Sequence, residues 1–459
     1  MNNVLLIDFG STYTKITAVD VEQEIIIGTA RGITTVETDI TEGLNKALKE
    51  LFLQTGKLEF SKILGCSSAA GGLKMVAIGL VPELTAEAAK RAALGAGAKV
   101  LKVFGHELSE YEITEIAELN PDIILLAGGT DGGNKQVILH NAQMLKNLGK
   151  DVPIVVAGNK SVTPTVVKIL SETMTQVVPC ANVMPKLNEL NIESAREVIR
   201  DIFLQRIIEA KGINKANKMV DRMVMPTPAA VLKAAELLSI GTNKESGIGD
   251  LMVVDIGGAT TDVYSIAKGD PTTNAVLRGL PEPFSKRTVE GDLGMRYSAS
   301  PLLKAAGAEL IAKFANADES EVAEYVEKVT ADIEYLPQNV QDKGMEVAMG
   351  RACTKLGADR HVGQLETHYS VLGQVFVQTG KDLTNVNNVI GTGGVIISNE
   401  RPNDILKGII FEDASPHVLK PKKPEFAVDK DYIMASMGLL GEDYPELAIR
   451  MMKKYIVRR

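Results

Sequence analysis

The chain has 459 residues, 45% of them hydrophobic and 24% charged, which is the composition of a globular protein too long for one compact core. Aromatic residues make up only 4%, tryptophan is absent and the formal net charge is -8, so neither base stacking nor non-specific nucleic-acid binding is expected. No apolar run reaches the ~18 residues of a membrane span and no basic, apolar leader precedes the first strand pattern, so we expect a cytoplasmic protein without nucleic-acid or membrane partners.

Strand patterns at 3–9, 14–20 and 24–30 open the chain, and a helix is predicted at 40–54. Apolar strands then alternate with amphipathic helices to about residue 180, which is typical of a parallel sheet covered on both faces. Residues 188–240 look mostly helical, and the C-terminus predicts two helices. The predicted fold class is therefore α/β.

One segment occurs twice in related form. Residues 4–20 read "VLLIDFGSTYTKITAVD" and residues 251–267 read "LMVVDIGGATTDVYSIA". In each copy an apolar strand ends in Asp, a Gly turn with hydroxyl side chains follows, and a second strand returns. Two copies about 250 residues apart indicate two related lobes.

These turns have the chemistry of a phosphate site. Glycines allow close approach of the backbone to an anion, and backbone N–H groups and hydroxyls donate hydrogen bonds to it. Asp8 and Asp255 end their strands and could hold the hydrated Mg²⁺ that accompanies phosphate. A single "DFGS" would be read as an ordinary hydrogen-bonded turn, but the second copy and "GTGG" at 391–394 favour a phosphate clamp.

A further glycine-rich stretch, "LLAGGTDGGN" at 125–134, follows an apolar strand and precedes a helix. It does not match a P-loop, because Asn134 stands where the motif requires glycine before lysine, and it does not match GxGxxG. A tight strand-to-helix connection with Asn134 as the helix N-cap is the plainer interpretation, and a second anion site is the alternative.

Five elements in order resemble the superfamily of actin, sugar kinases and heat-shock chaperone ATPases. "DFGSTYTK" resembles its first phosphate motif, "DIGGATTD" the second and "GTGGV" the adenosine loop; "MPTPAAVLKAAELL" (225–238) and "YIMASMGLL" (432–440) resemble the two connecting helices. The resemblance implies a two-lobed actin-like ATPase, a duplicated ribonuclease-H-like fold, with an α/β insertion in the first lobe and Mg-ATP as its ligand. It implies residues 1–80 and 431–459 as the first lobe core, 81–224 as the insertion and a helical segment, 225–249 as the connecting helix and linker, and 250–430 as the second lobe.

The same resemblance implies the site residues by position. Asp8 and Asp255 are the expected catalytic residues and hold Mg²⁺ through water. The expected nucleotide-binding residues are Gly10, Ser11, Thr12, Lys15, Gly257, Gly258, Ala259, Thr260, Gly391, Gly393 and Gly394. Lys15 either neutralises phosphate charge or lies on a solvated strand face. Met225 replaces the Glu of the chaperone pattern and cannot orient a water, which favours slow hydrolysis or nucleotide sensing.

Within the superfamily, the chain is similar to the MutL (GlmL) family, on "IDFGSTYTK", "LLAGGTDGG" and the stretch at 66–100. That family is associated with adenosylcobalamin-dependent glutamate mutase and aminomutases, and the resemblance implies an ATP-using factor that removes damaged cobalamin from such a partner. "DRHVG" (359–363) is one residue short of the cobalamin motif DxHxxG, so His361 is expected at a helix surface or helix end and no tightly bound cobalamin is expected.

Three functions compete at this point. The first is an ATPase that reactivates an adenosylcobalamin-dependent mutase. The second is a small-molecule kinase or ATP-dependent amidohydrolase, which needs a base for its acceptor; Asp262 is the one evident candidate. The third is an actin-like scaffold switched by nucleotide.

Overall fold

The computed structural model describes residues 2–10, 13–33, 40–68, 73–209, 220–370 and 373–457. Two compact units are present: Met1–Val231 with Gly279–Pro281, and Leu232–Arg278 with Glu282–Arg459. The strands, in chain order, are β1 (Asn3–Phe9), β2 (Tyr13–Asp20), β3 (Ile25–Ile33), β4 (Lys62–Ser67), β5 (Lys74–Gly79), β6 (Lys99–Gly105), β7 (Ile123–Leu126), β8 (Ile154–Val156), β9 (Val177–Pro179), β10 (Arg222–Pro226), β11 (Leu251–Ile256), β12 (Thr261–Ile266), β13 (Ala275–Arg278), β14 (Ser285–Glu290), β15 (Gln364–Ser370), β16 (Gly373–Thr379), β17 (Asn388–Thr392) and β18 (Glu425–Val428).

The α-helices connect these strands and cover the sheets. In chain order they are α1 (Ile40–Thr55), α2 (Glu87–Gly95), α3 (Glu110–Leu119), α4 (Gln136–Lys146), α5 (Thr163–Leu170), α6 (Glu193–Glu209), α7 (Thr227–Ile240), α8 (Ala299–Ala306), α9 (Ala308–Ala315), α10 (Glu319–Ala331), α11 (Val340–His361), α12 (Gly394–Ile397), α13 (Pro402–Leu406), α14 (Met434–Leu440) and α15 (Pro445–Met452). Across the described ranges, no helix combines the length and apolar character needed to cross a membrane.

The two units contain sheets of the same design. The first sheet has the order β10-β4-β1-β2-β3 and the second has the order β18-β17-β11-β12-β14. In the first sheet β2 runs antiparallel to β1 and β3, whereas β4 and β10 run parallel to β1. In the second sheet β12 runs antiparallel to β11 and β14, whereas β17 and β18 run parallel to β11. The predicted duplicated α/β fold is confirmed.

The first strand of each sheet is buried along its length. All seven residues of β1 are buried, and β11 is buried except at Asp255. A strand covered on both faces is apolar until it ends, because its side chains contact the core on either side. The polar groups of the motif are therefore confined to the carboxyl end of each central strand.

A third sheet belongs to unit 1 and has the order β6-β5-β7-β8-β9, with every strand parallel. This is the order of a doubly wound domain, and it lies in the chain between β4 and β10. The resemblance starts this insertion at residue 81, and the first strand of this sheet along the chain, β5, begins at Lys74.

The C-terminal helices lie in unit 2 and contact the segment at 242–245. Lys453 Nζ lies 2.7 Å from Glu245 Oε1, and Thr242 Oγ1 lies 3.2 Å from Glu446 Oε1. The resemblance groups residues 431–459 with the first lobe, whereas the structure places them in the same compact unit as the second sheet.

Candidate functional site

A row of four side chains crosses the first sheet near the carboxyl end of β1. Asp8 pairs in register with Lys15 of β2 and with Cys66 of β4, and Cys66 pairs with Met225 of β10. Residues paired across strands project on the same face of a sheet. We call Lys15, Asp8, Cys66 and Met225 the first row.

Asp8 has two hydrogen-bond donors and one cation beside it. Its side chain is 5% exposed, and Thr227 Oγ1 donates to its Oδ1 at 2.5 Å. Cys66 Sγ lies 3.6 Å from the same oxygen, and Lys15 Nζ lies 3.8 Å from Oδ2. Lys15 therefore places its ammonium beside Asp8 with 27% of its side chain exposed, and its role toward phosphate stays a prediction.

Cys66 is a thiol donor in this row. Burial, and then the negative charge of Asp8, raises the pKa of the Cys66 thiol well above its usual value. A protonated, buried thiol can donate a weak hydrogen bond but is not a nucleophile. Cys66 thus supports Asp8 and does not react.

Met225 completes the row without adding a polar group. Its side chain is 2% exposed. The polar contact from this part of the chain comes two residues later, from Thr227. Sequence reasoning missed Thr227 and Cys66, although Thr227 lies within the quoted connecting-helix motif.

The turn after β1 has a counterpart after β11. The Gly10 N–H donates to Tyr13 O at 3.1 Å, and the Gly257 N–H donates to Thr260 O at 2.9 Å. A Cβ on Gly10 would lie 2.6 Å from Tyr13 O, so the tight turn requires glycine there. The predicted Ser11 and Thr12 lie outside the described residues.

A second row crosses the second sheet at the equivalent place. Asp255 of β11 pairs with Asp262 of β12 and with Thr392 of β17. Asp429 directly follows β18, and its Oδ2 lies 3.1 Å from Thr392 Oγ1. We call Asp262, Asp255, Thr392 and Asp429 the second row.

Asp262 is bound in an ion pair. The Arg287 side chain is 3% exposed, and its Nη2 and Nε lie 2.6 and 2.8 Å from Asp262 Oδ1. Both guanidinium nitrogens contact the same carboxylate oxygen, so Oδ1 of Asp262 is already engaged by Arg287.

Asp429 is buried and was not found from the sequence. It accepts hydrogen bonds from the N–H groups of Ile433 at 2.8 Å and Met434 at 3.0 Å, and from Thr392. Burial raises the pKa of the Asp429 carboxyl above its usual value, although these three donors oppose the shift. Asp429 joins the end of β17 to the start of α14.

The turn at 257–260 is fixed by its carbonyl groups. Gly257 O and Gly258 O accept from the N–H groups of Met295 at 3.1 Å and Arg296 at 2.8 Å, and Ala259 O accepts from Ser298 Oγ. Within the described part of the chain, the N–H groups of Gly258 and Ala259 meet no protein acceptor. The turn can therefore present two backbone donors to an anion.

The "GTGG" loop lies against Asp255. Gly393 has φ 94°, and a Cβ there would lie 2.3 Å from Ile256 O and 2.8 Å from Asp255 Oδ1. Gly394 is exposed beside it, whereas Gly391 is inside β17, where a Cβ would lie 2.9 Å from the Ile396 and Leu406 side chains. The structure thus brings Asp255, the 257–260 turn and the 393–394 glycines together in unit 2, and Asp8, Gly10 and Lys15 together in unit 1.

The carboxylates fit a particular kind of Mg²⁺ site. Among the residues that the structure describes, no group of three or more His, Cys, Asp or Glu side chains is arranged to hold a metal ion. Mg²⁺ is commonly bound through one or two carboxylates, several waters and substrate phosphates. Single carboxylates at strand ends suit that arrangement and do not suit an all-protein metal cage.

His361 ends α11 as expected, but it is fully buried, so the alternative of a surface position is wrong. Its Nε2 lies 2.8 Å from Ser265 Oγ and its Nδ1 lies 2.9 Å from Thr288 Oγ1. Burial, and then the nearby lysines, lowers the pKa of His361 well below its usual value. Hydroxyls engage both ring nitrogens, so the side chain is structural.

The loop at 127–133 is held by two buried asparagines. Asn159 accepts from the Gly132 N–H at 3.1 Å and donates to the carbonyls of Gly133 and Asn134, and Asn182 donates to Gly129 O at 3.0 Å. These contacts tie together the ends of β7, β8 and β9. Asn134 Oδ1 accepts from the Val137 N–H at 3.2 Å, so it caps the first turn although α4 begins at Gln136.

Comparisons with known proteins give one clear family relationship. The family described as "MutL protein" matches residues 4–456. Protein MutL from Clostridium tetanomorphum is 54% identical over 461 aligned residues, which cover 100% of both chains. The resemblance to this family is confirmed.

Three solved structures resemble the chain distantly. The activator of the 2-hydroxyisocaproyl-CoA dehydratase from Clostridium difficile, with bound ADPNP, is 10% identical with a TM-score of 0.35, over 98% of this chain and 97% of that chain. Gluconate kinase from Lactobacillus acidophilus is 10% identical with a TM-score of 0.35, over 99% and 92%. A diol dehydratase-reactivating factor in nucleotide-free form is 10% identical with a TM-score of 0.35, over 96% and 99%. Likenesses at this level support no conclusion about ligand or partner.

Proposed function

This chain belongs to the MutL protein family, and we propose that it is an ATP-binding, slowly ATP-hydrolysing factor that reactivates an adenosylcobalamin-dependent mutase. Glutamate mutase or an amino-acid aminomutase is the proposed partner, because the MutL (GlmL) family is associated with those enzymes. Nucleotide-driven movement of the lobes would be coupled to release of damaged cobalamin from the partner.

The observation that carries the nucleotide part is the pair of equivalent rows. Each central strand ends in a carboxylate followed by a glycine turn, at Asp8 with Gly10 and at Asp255 with Gly257. A duplicated hydrogen-bonded turn would not by itself need a carboxylate at both strand ends. A site for phosphates and Mg²⁺ needs both the carboxylate and the glycine turn.

The chain's own groups supply the proposed chemistry as follows. Asp8 and Asp255 are each proposed to bind hydrated Mg²⁺, an ion that would neutralise charge on the phosphates when bound. Lys15 adds positive charge beside Asp8, and the N–H groups of Gly258 and Ala259 donate to phosphate oxygens. Glycines 393 and 394 allow the adenosine to approach the backbone.

Slow turnover follows from what the first row lacks. Met225 stands beside Cys66 in the place where the chaperone pattern has Glu, and a thioether cannot take a proton from an attacking water. The residue that the sequence offered as the base of a kinase, Asp262, is engaged by Arg287, which weighs against the kinase alternative.

Reactivation can be measured directly. Candidate mutases are inactivated by turnover and then incubated with this protein, ATP, Mg²⁺ and fresh cofactor. We expect one of them to recover activity, and Asp8→Ala or Asp255→Ala to reduce ATP hydrolysis by about 10²-fold or more while the circular dichroism spectrum is unchanged. Normal hydrolysis by either variant would contradict the proposed site, and ATP consumption tied to a small-molecule acceptor would favour a kinase instead.

A further inference from the structure

Thr227 contacts Asp8 from a distant part of the chain. It is the first residue of α7, and its Oγ1 lies 2.5 Å from Asp8 Oδ1, across a separation of 219 residues. A hydroxyl has one hydrogen, and Cys66 Sγ is the other neighbour at 3.7 Å. The closer, charged carboxylate takes that hydrogen, because O–H···O⁻ bonds of this length are the stronger kind.

The two oxygens of Asp8 consequently differ. Oδ1 is held by the Thr227 hydroxyl and the Cys66 thiol, whereas Oδ2 has the Lys15 ammonium as its neighbour at 3.8 Å. A carboxylate that is 5% exposed has few alternative orientations, so its donors decide which oxygen is already used.

We propose that Thr227 is the positioning residue for Asp8 in nucleotide binding, an inference that rests on the proposed function. Its hydroxyl fixes Oδ1 and thereby leaves Oδ2, on the Lys15 side, to interact with the hydrated ion and the phosphates. Without that hydroxyl, Oδ1 keeps only the weak thiol donor of Cys66, and either oxygen becomes a partner for Lys15.

The position of Thr227 gives this bond a second consequence. The division between the two compact units falls inside α7, between Val231 and Leu232. The hydrogen bond from Thr227 therefore links the state of Asp8 to the first turn of that helix. A change of partner at Asp8 changes the anchoring of α7 at its beginning.

The test compares two substitutions that differ by one hydroxyl. Thr227→Val keeps the size of the side chain and removes the donor, and Thr227→Ser keeps the donor. The readout is the affinity for a fluorescent ATP analogue with and without Mg²⁺, together with the Mg²⁺ dependence of ATP hydrolysis. Mg²⁺ should raise the affinity of wild type for the analogue, and we expect this gain to be about tenfold smaller in Thr227→Val. Thr227→Val should bind the analogue without Mg²⁺ as wild type does. Thr227→Ser should show the full gain.

Thr114→Val is the matched control, because it makes the same substitution in α3, where the Thr114 hydroxyl donates to Glu110 O at 3.1 Å and lies outside the first row. We expect it to retain the Mg²⁺-dependent gain within about threefold. Thr227→Ala serves as a second donor-free variant if Thr227→Val does not fold.

The outcomes separate the inference from the proposed function. If wild type shows a Mg²⁺-dependent gain that Asp8→Ala abolishes but Thr227→Val retains, the positioning role is refuted and the nucleotide site stands. If Thr227→Ser is as defective as Thr227→Val, the methyl group and not the hydroxyl matters, and the inference is also refuted. If wild type binds no ATP analogue, the proposed function itself fails.

Discussion

The two rows occupy the same place in two sheets of the same order, but they hold different charges. The first row places one ammonium beside one carboxylate and then continues with a thiol and a thioether. The second row contains three carboxylates and a hydroxyl, and its cation, Arg287, comes from the next strand, β14. The turns have the same form in both sheets, so the two rows differ in charge although their backbones are equivalent.

The two rows differ most in the cation that contacts each of them. Lys15 is the cross-strand partner of Asp8, 3.8 Å away and 27% exposed. Asp262 occupies the position in the second sheet that Lys15 occupies in the first. The Arg287 guanidinium lies 2.6 Å from Asp262, and the Arg287 side chain is 3% exposed. A partly solvated ammonium can change partners at low cost, whereas a buried guanidinium pair is fixed by desolvation. We infer that the side chains of the first row can rearrange their contacts, whereas those of the second row are rigid.

The largest expected effect is loss of the buried cation. Arg287→Met should lower the free energy of unfolding by about 3–5 kcal/mol, because it leaves Asp262 without its partner in a buried setting. Lys15→Met, the equivalent change in the first row, should cost only about 0–1 kcal/mol, since that pair is longer and partly exposed. Urea unfolding followed by circular dichroism measures both.

A double variant sharpens this comparison. Asp262→Asn in the Arg287→Met background removes the uncompensated charge and should recover most of the lost stability. Equal losses from Arg287→Met and Lys15→Met would show that the two rows do not differ in rigidity.

The carboxylates at the strand ends were predictable, and the reason is local. An apolar run that stops at Asp before a glycine turn specifies a buried strand and its end within ten residues, and the repetition at 251–267 supports the same interpretation at Asp255. The fold class followed from the same periodicity. The directions of Asp8 and Lys15 needed the register of β1 against β2, which the structure supplies.

The supporting residues were not predictable, because their contacts are long-range. Thr227 and Cys66 reach Asp8 only through the order β10-β4-β1, and β10 lies in a region whose pattern predicted helix. "RMVMP" is too short to show a period, and its strand conformation is set by pairing with β4. Asp429 had one local signal, an acid just before a helical pattern, which reads as an N-cap and says nothing of Thr392.

A smaller effect is expected from the fourth position of each row. Asp429→Asn keeps one acceptor oxygen but turns the other into an NH₂ group, which must face at least one of the N–H groups of Ile433 and Met434. We expect a loss of about 1–3 kcal/mol in the free energy of unfolding. Met225→Leu, the equivalent change in the first row, conserves volume and should cost less than about 1.5 kcal/mol.

Coupling to Thr392 identifies the cause of that loss. Thr392→Val and Asp429→Ala both remove the hydrogen bond between these two side chains, so their effects on unfolding should be less than additive. Additive effects would mean that the Asp429 carboxylate acts through α14 alone.

The smallest expected effect is a pH dependence confined to the second sheet. His361 joins β12 and β14 through Ser265 and Thr288, and the strands of the first sheet contain no histidine. Burial holds the pKa of His361 well below its usual value, so the folded protein stays unprotonated where an unfolded chain, with a histidine pKa of about 6.5, takes up a proton. The contribution of His361 to the free energy of unfolding is therefore fully present above about pH 6.5 and falls as the pH drops from there toward the lowered pKa, by at most about 1.4 kcal/mol per pH unit.

Urea unfolding between pH 7.5 and about pH 5 should show this slope in wild type and in His417→Gln, where the histidine is exposed. The slope should be absent in His361→Gln. A slope that survives His361→Gln would contradict this origin of the pH dependence.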